Sequence, residues 1–196
     1  MYTSNFKRWC MKLLILNLGL ILNLISNGQS LGVKTEGIEF PDSVLLDNQT
    51  LKLNGLGLRK ATVFKVKVYA AALYLNEVAK DPDKILSSKE PKTLMMKFFR
   101  DVSKEQINEA WDKAFESNSS QFKLELSQLK AIMPNAKEGD LFEYLFSKDK
   151  TEFKLNRITR GSMPGGDWGK ALLSTWIGKN PPTEELKKGL LNIADE

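Results

Sequence analysis

Arg59 and Tyr69 are the residues of this chain whose types and spacing most readily suggest chemistry. A guanidinium stays charged at every working pH. Its planar fork can hold a carboxylate or a phenolate by two parallel hydrogen bonds. Arg59 lies just ahead of a strand-like run, Val-Phe-Lys-Val-Lys-Val-Tyr-Ala-Ala-Ala-Leu-Tyr-Leu, which ends at Leu75. Alternation along that run places Phe64, Val66, Val68 and Ala70 on one face, and Lys65, Lys67, Tyr69 and Ala71 on the other. An arginine and a tyrosine brought to one half-buried sheet face form a candidate anion site. Beyond the N-terminal segment, arginine occurs only at 59, 100, 157 and 160, and lysine supplies the remaining positive charge. That usage favours a specific role for each guanidinium. The competing structural readings are an arginine bonded to backbone carbonyls and a core tyrosine with a satisfied hydroxyl.

The chain contains no histidine, and its one cysteine is Cys10. Ser-His-Asp and Cys-His catalysis are therefore excluded, as are ordinary His-ligated or Cys-ligated metal sites. Chemistry must rest on Arg, Lys, Tyr, Thr, Asp, Glu or water, and no cofactor is expected. Gly55-Leu-Gly57 lacks the third glycine of a dinucleotide fingerprint and leads into a strand rather than a helix. Gly165, Gly166, Gly169 and Lys170 fail as a phosphate loop, because Pro164 stands at the first glycine position and Ala171 replaces the Mg²⁺-binding hydroxyl. Glu184 and Glu185 suit the start of a helix, where they complement its dipole.

Lys7, Arg8 and Lys12, the uncharged stretch from Leu13 to Ile25, and the small polar residues after it follow the layout of a secretory signal peptide. Residues 1–28 are read as that signal, cleaved after Gly28; cleavage after Ser30 and a start at Met11 are the alternatives. Residues 29–42 are read as a polar lead-in and 43–196 as a single domain. The protein is then exported, periplasmic or secreted, with no membrane span after cleavage. Removing the signal leaves 26 basic residues against 24 acidic ones, so no nucleic-acid partner is expected.

The elements that must position Arg59 and Tyr69 can be read from periodicity. Val44 to Leu53 forms a hairpin about Asp47-Asn48-Gln49, and Thr93 to Arg100 forms a strand. Ser103-Lys-Glu-Gln106 is a capping box opening a helix with Ile107, Trp111 and Phe115 on one face. A second amphipathic stretch carries Phe122, Leu126, Leu129 and Met133, and ends at Pro134. Asp140 to Ile158 alternates as a hairpin, and Gly161 to Gly166 reads as a loop. Asp167 caps a helix bearing Trp168, Leu172, Thr175 and Trp176, and Pro181-Pro182-Thr183 opens the last helix. Strands grouped with helices indicate an α+β domain, an antiparallel sheet covered by helices.

Three segments in this order resemble the chalcone isomerase-like family, most closely its bacterial exported branch. They are Gly57-Leu-Arg59 ahead of Lys67 to Leu75, then Phe99-Arg-Asp-Val-Ser103 ahead of the Trp111 helix, then Ala171-Leu-Leu-Ser-Thr-Trp-Ile-Gly178. The resemblance implies a large curved antiparallel sheet with helices on one face and a ligand cleft between. In the plant enzymes an arginine activates a phenolate for ring closure, and Thr and Tyr hydroxyls with water stabilise the enolate. In fatty-acid-binding members the arginine grips a carboxylate. The resemblance carries the arginine onto Arg59, a strand threonine onto Tyr69, and a helix threonine onto Thr175, with Trp176 beside it. The bulky Tyr69 and Trp176, and missing polar groups between Ser103 and Trp111, favour a small amphipathic carboxylate held by Arg59. The alternative is an isomerase, an intramolecular lyase acting on a conjugated carbonyl.

Overall fold

Three two-residue turns with positive φ at both central positions shape the strands: Glu36–Gly37 (50° and 83°), Asp47–Asn48 (50° and 60°) and Asn156–Arg157 (50° and 69°). Such turns match the twist of paired strands, and Gly, Asn and Asp tolerate them best. The computed structural model describes residues 33–61, 64–118 and 121–193. The signal-peptide reading lies outside the described residues.

Strands β1 (Val33–Thr35) and β2 (Ile38–Phe40) form a separate hairpin. The main sheet is antiparallel and follows chain order: β3 (Ser43–Leu46), β4 (Gln49–Ala61), β5 (Val66–Leu75), β6 (Lys92–Phe98), β7 (Leu141–Phe146), β8 (Lys150–Leu155) and β9 (Ile158–Pro164). It curls into a half-barrel, so that the Ser147 hydroxyl at the β7–β8 turn reaches the Asp47 carboxylate at the β3–β4 turn, 2.5 Å away. The helices are α1 (Pro82–Ser87), α2 (Lys104–Asn118), α3 (Lys123–Ile132), α4 (Asp167–Ile177) and α5 (Glu184–Leu190). This is the α+β architecture expected from the grouping of strands and helices.

Each face of the sheet carries its own core. Tyr69, Ala71, Leu73 and Leu75 of β5 face the helices, with Leu94, Phe142, Tyr144 and Phe153 beside them and Trp111, Phe115, Trp168 and Leu172 above. Ala70, Ala72 and Tyr74 face the opposite side, where they meet Leu51 of β4 and Phe40 of β2. The Tyr74 hydroxyl donates to the Pro41 carbonyl at 2.9 Å, which ties the β1–β2 hairpin to that face. Burying one such leucine or aromatic side chain contributes about 1.5–3 kcal/mol.

The cap expected at α2 is present, the one expected at α4 is displaced, and α5 opens on a Thr183 cap that follows the two prolines. The Gln106 N–H donates to Ser103 Oγ (3.3 Å) and the Ser103 N–H donates to Gln106 Oε1 (3.1 Å), a reciprocal capping box. Thr183 caps α5 by accepting the Leu186 N–H. At α4 the cap position falls on Gly166, φ 60°, and Asp167 is instead the first helical residue.

Two segments gain strands that periodicity did not reveal. The lead-in contains the β1–β2 hairpin, whose Glu36–Gly37 turn is short and whose strands have three residues each. The segment read as a loop from Gly161 is most of β9, an edge strand with only Met163 fully buried, so hydrophobic alternation is nearly absent.

Candidate functional site

Strand β4 is thirteen residues long and runs past the expected hairpin, so Arg59 lies within it. Arg59 and Tyr69 are therefore direct cross-strand partners rather than residues of one strand. Directly opposed residues of an antiparallel pair project to the same face, so the expected juxtaposition arises by a different route. Pairing then slips, because Arg59 opposes Tyr69 but Lys60 opposes Lys67, leaving Val68 as an extra residue. Such a bulge re-aims side chains. Val68 and Tyr69 both turn toward the helix side. Lys67 moves to the far face, over the Phe99 ring at 5.8 Å and against Glu36 at 2.5 Å. The expected alternation before Tyr69 is inverted for this reason.

Gly55 and Gly57 share the helix-side face of β4 and form the seat of α5. A Cβ on Gly55 would lie 2.2 Å from the Gly189 carbonyl oxygen, and one on Gly57 would lie 2.4 Å from that of Leu186. The absence of side chains lets the helix backbone rest on the strand. Progress along β4 from Gly55 to Gly57 thus runs from the end of α5 back toward its start. The next residue on this face, Arg59, lines the same cavity as Asn180, Pro181 and Pro182, which lead into the helix.

A cavity of about 590 Å³ lies between the sheet and helices α2 and α4. Its floor is Val68, Tyr69, Met96, Phe98, Phe142 and Tyr144; its roof is Ile107, Trp111, Ala114, Thr175 and Trp176. Arg59, Arg100, Asp101, Gln106, Lys113 and Asn180 supply its polar lining. The four residues predicted from the sequence, Arg59, Tyr69, Thr175 and Trp176, all line this one cavity. Within that lining Trp111 packs edge to face against Tyr144 and Trp176, which are tilted against each other, with ring centroids 5.2–6.0 Å apart.

The polar groups differ in what they can offer. Among the described residues the Arg59 guanidinium makes one hydrogen bond, to the Lys60 carbonyl, and its remaining N–H groups are open to a ligand. Burial pushes the Tyr69 hydroxyl up to about 12, although a hydrogen bond with the Trp176 side chain and the Arg59 charge both oppose the rise. Burial, reinforced by Tyr69, holds Tyr144 well above the ordinary tyrosine range. Both phenols are neutral at physiological pH. The Thr175 hydroxyl donates to the Leu172 carbonyl of its own helix at 2.7 Å, so its proton is engaged in the backbone. Asp101 is held below the usual carboxylate range, chiefly by the Lys137 ammonium at 2.7 Å. The site can therefore orient and neutralise an anion and enclose an apolar body, by preorganised charge.

From the sequence, Tyr144 reads as a core position, and Trp111 as a core position first and a cleft wall second; both line the cavity. Their alternation and helical spacing located the correct faces, but periodicity carries no sign of which core residue borders a void. Among the described residues, no cluster of acidic side chains could hold a metal ion, and no helix is long and apolar enough to cross a membrane.

A curled antiparallel sheet, a helical cover on one face and a cavity between them define the chalcone isomerase-like class of α+β proteins. Residues 32–192 match the family described as chalcone isomerase-like, and the chain belongs to it. No curated protein matches the sequence significantly. A fatty-acid binding protein from Arabidopsis thaliana has a similar structure, with a TM-score of 0.67 at 14% identity, over 82% of this chain and 96% of that one.

Proposed function

We propose that this protein binds a fatty acid or another amphipathic carboxylate, with the acyl body in the cavity and the carboxylate on Arg59. The observation that carries this reading is a largely apolar cavity of about 590 Å³ bordered by a half-buried arginine with open N–H groups. That volume is in the range of small-molecule sites. The similarity in fold to a plant fatty-acid binding protein supports the same reading. The N-terminal residues 1–28 would export the domain, and N-terminal sequencing of exported protein would then begin at Gln29.

The test is extraction of the purified protein and mass spectrometry of what it releases, beside titration with palmitate. A charge-assisted hydrogen bond contributes about 1.5–3 kcal/mol. Arg59→Ala is therefore expected to weaken palmitate binding by about 10- to 100-fold, and Arg59→Lys to restore part of it. Unchanged affinity in Arg59→Ala would refute the head-group assignment.

A second reading, ring closure on a conjugated carbonyl, is favoured by the pairing of Arg59 with a protonated Tyr69. It is opposed by the Thr175 hydroxyl, whose proton is bonded to Leu172. A spectrophotometric assay with a chalcone tests it, and a rate equal to background would reject the flavonoid version.

A further inference from the structure

The β4–β5 hairpin stands at the arginine side of the cavity, since Arg59 and Ala61 on one arm and Val68 on the other line it. Near its tip Phe64 is 85% exposed, the most exposed of the large apolar side chains among the described residues. Val66, on the following strand, is 39% exposed. Residues 59–67 contain Arg59, Lys60, Lys65 and Lys67 and no acid. Lys60 and Lys65 are exposed, while Lys67 is paired with Glu36. Arg100 and Lys113 add further positive charge at the cavity, and the acid beside them, Asp101, is neutralised by Lys137.

An exposed phenylalanine on a hairpin has no concave surface of its own to receive a protein side chain. Surrounded by cations, it suits a deformable, negatively charged surface with an apolar interior. We propose that this hairpin docks the cavity on an anionic lipid bilayer, with Phe64 entering the apolar layer and Lys60 and Lys65 on the headgroups. An amphipathic carboxylate would then pass between bilayer and cavity beside Arg59 without first dispersing in water. The proposal rests on the ligand class argued above, but its test does not.

The variant F64W places an indole at the tip, and vesicles containing brominated acyl chains quench an indole that enters them. The readout is quenching in F64W beyond that of the parent protein, so membrane attachment through any other segment does not score. Strong quenching is expected with phosphatidylcholine vesicles containing phosphatidylglycerol, and little with phosphatidylcholine alone. Each basic residue near an anionic surface changes affinity about fivefold. Adding K60E and K65E should therefore weaken the association at least 25-fold, and raising the salt should weaken it as well. An unquenched indole on anionic vesicles, or quenching indifferent to lipid charge and to the lysine substitutions, would overturn the proposal. Palmitate titration of F64W without vesicles reads the cavity separately. Loss of docking with retained palmitate binding defeats only the membrane reading, and the converse defeats only the ligand reading.

Discussion

Substituting Gly55 by alanine tests how the fold positions Arg59. The added Cβ would lie 2.2 Å from the Gly189 oxygen, 2.7 Å from the Leu190 oxygen and 2.9 Å from the Asn192 nitrogen, against an ordinary contact of 3.4 Å or more. All three are backbone atoms, so no rotamer change relieves the clash. Helix α5 must retreat by about 1 Å, an overpacking that costs about 1–3 kcal/mol. The retreat also stretches the 2.8 Å bond from Asn54 Nδ2 to the Leu190 oxygen, a buried interaction whose loss costs about 1 kcal/mol more. A total of about 2–4 kcal/mol follows, which for a chain of this size lowers Tm by about 5–15 °C. Urea unfolding should show the same loss as a lower midpoint with unchanged slope. Gly37→Ala is the control: φ is 83° and nothing lies within 4 Å of its Cβ position, so only the conformational cost of about 1 kcal/mol applies. Equal stability of Gly55→Ala and the parent would refute the idea that Gly55-Leu-Gly57 is the seat of α5. Palmitate affinity should fall as well, because the segment ending at Pro182 moves with the helix.

Lengthening the acid one methylene at a time should tighten binding by about 0.8 kcal/mol per step until the cavity is full, read by calorimetry; a flat series would mean the chain lies outside. Thr175→Val should leave palmitate affinity within about twofold of the parent, because the hydroxyl proton already serves Leu172; a tenfold loss would assign that oxygen to the ligand. Acid unfolding should carry the signature of Glu152. Burial acts to raise its pKa, but hydrogen bonds from Lys150, Thr159 and Lys154 outweigh it and bring the carboxyl to about 2 from an ordinary 4.5. A depressed folded value contributes stability above pH 4.5 that is lost as pH falls toward 2. Urea midpoints across that range should therefore drop less in Glu152→Gln than in the parent, and parallel curves would contradict the assignment.

The faces of the sheet from Tyr69 to Leu75, the Trp111 helix with its capping box and the start of the last helix after Pro181-Pro182-Thr183 could all be read from the chain, because each is a local pattern dictated by alternation, helical spacing or backbone restriction. The cavity residues Arg59, Tyr69, Thr175 and Trp176 were found partly through family resemblance. Positions decided by tertiary pairing were not legible. The bulge that turns Val68 inward and Lys67 outward is a register event between two strands. The β9 edge strand buries too little to alternate. Gly55-Leu-Gly57 gave no sign that it seats a helix, because the helix that needs those glycines arrives more than a hundred residues later.

The sheet is also clamped from the face opposite the cavity. Phe40, Leu51, Ala70, Ala72 and Tyr74 form their core away from the cavity. Amide hydrogen exchange should therefore find two tiers of protection, with β5 slow to open whether the cavity is filled or empty and α2 and α4 slowing only when it is filled. This arrangement separates folding from recognition. Residues on the cavity side can be exchanged for others of similar bulk while the opposite core keeps the strands in register, so one scaffold can be refitted to a different ligand.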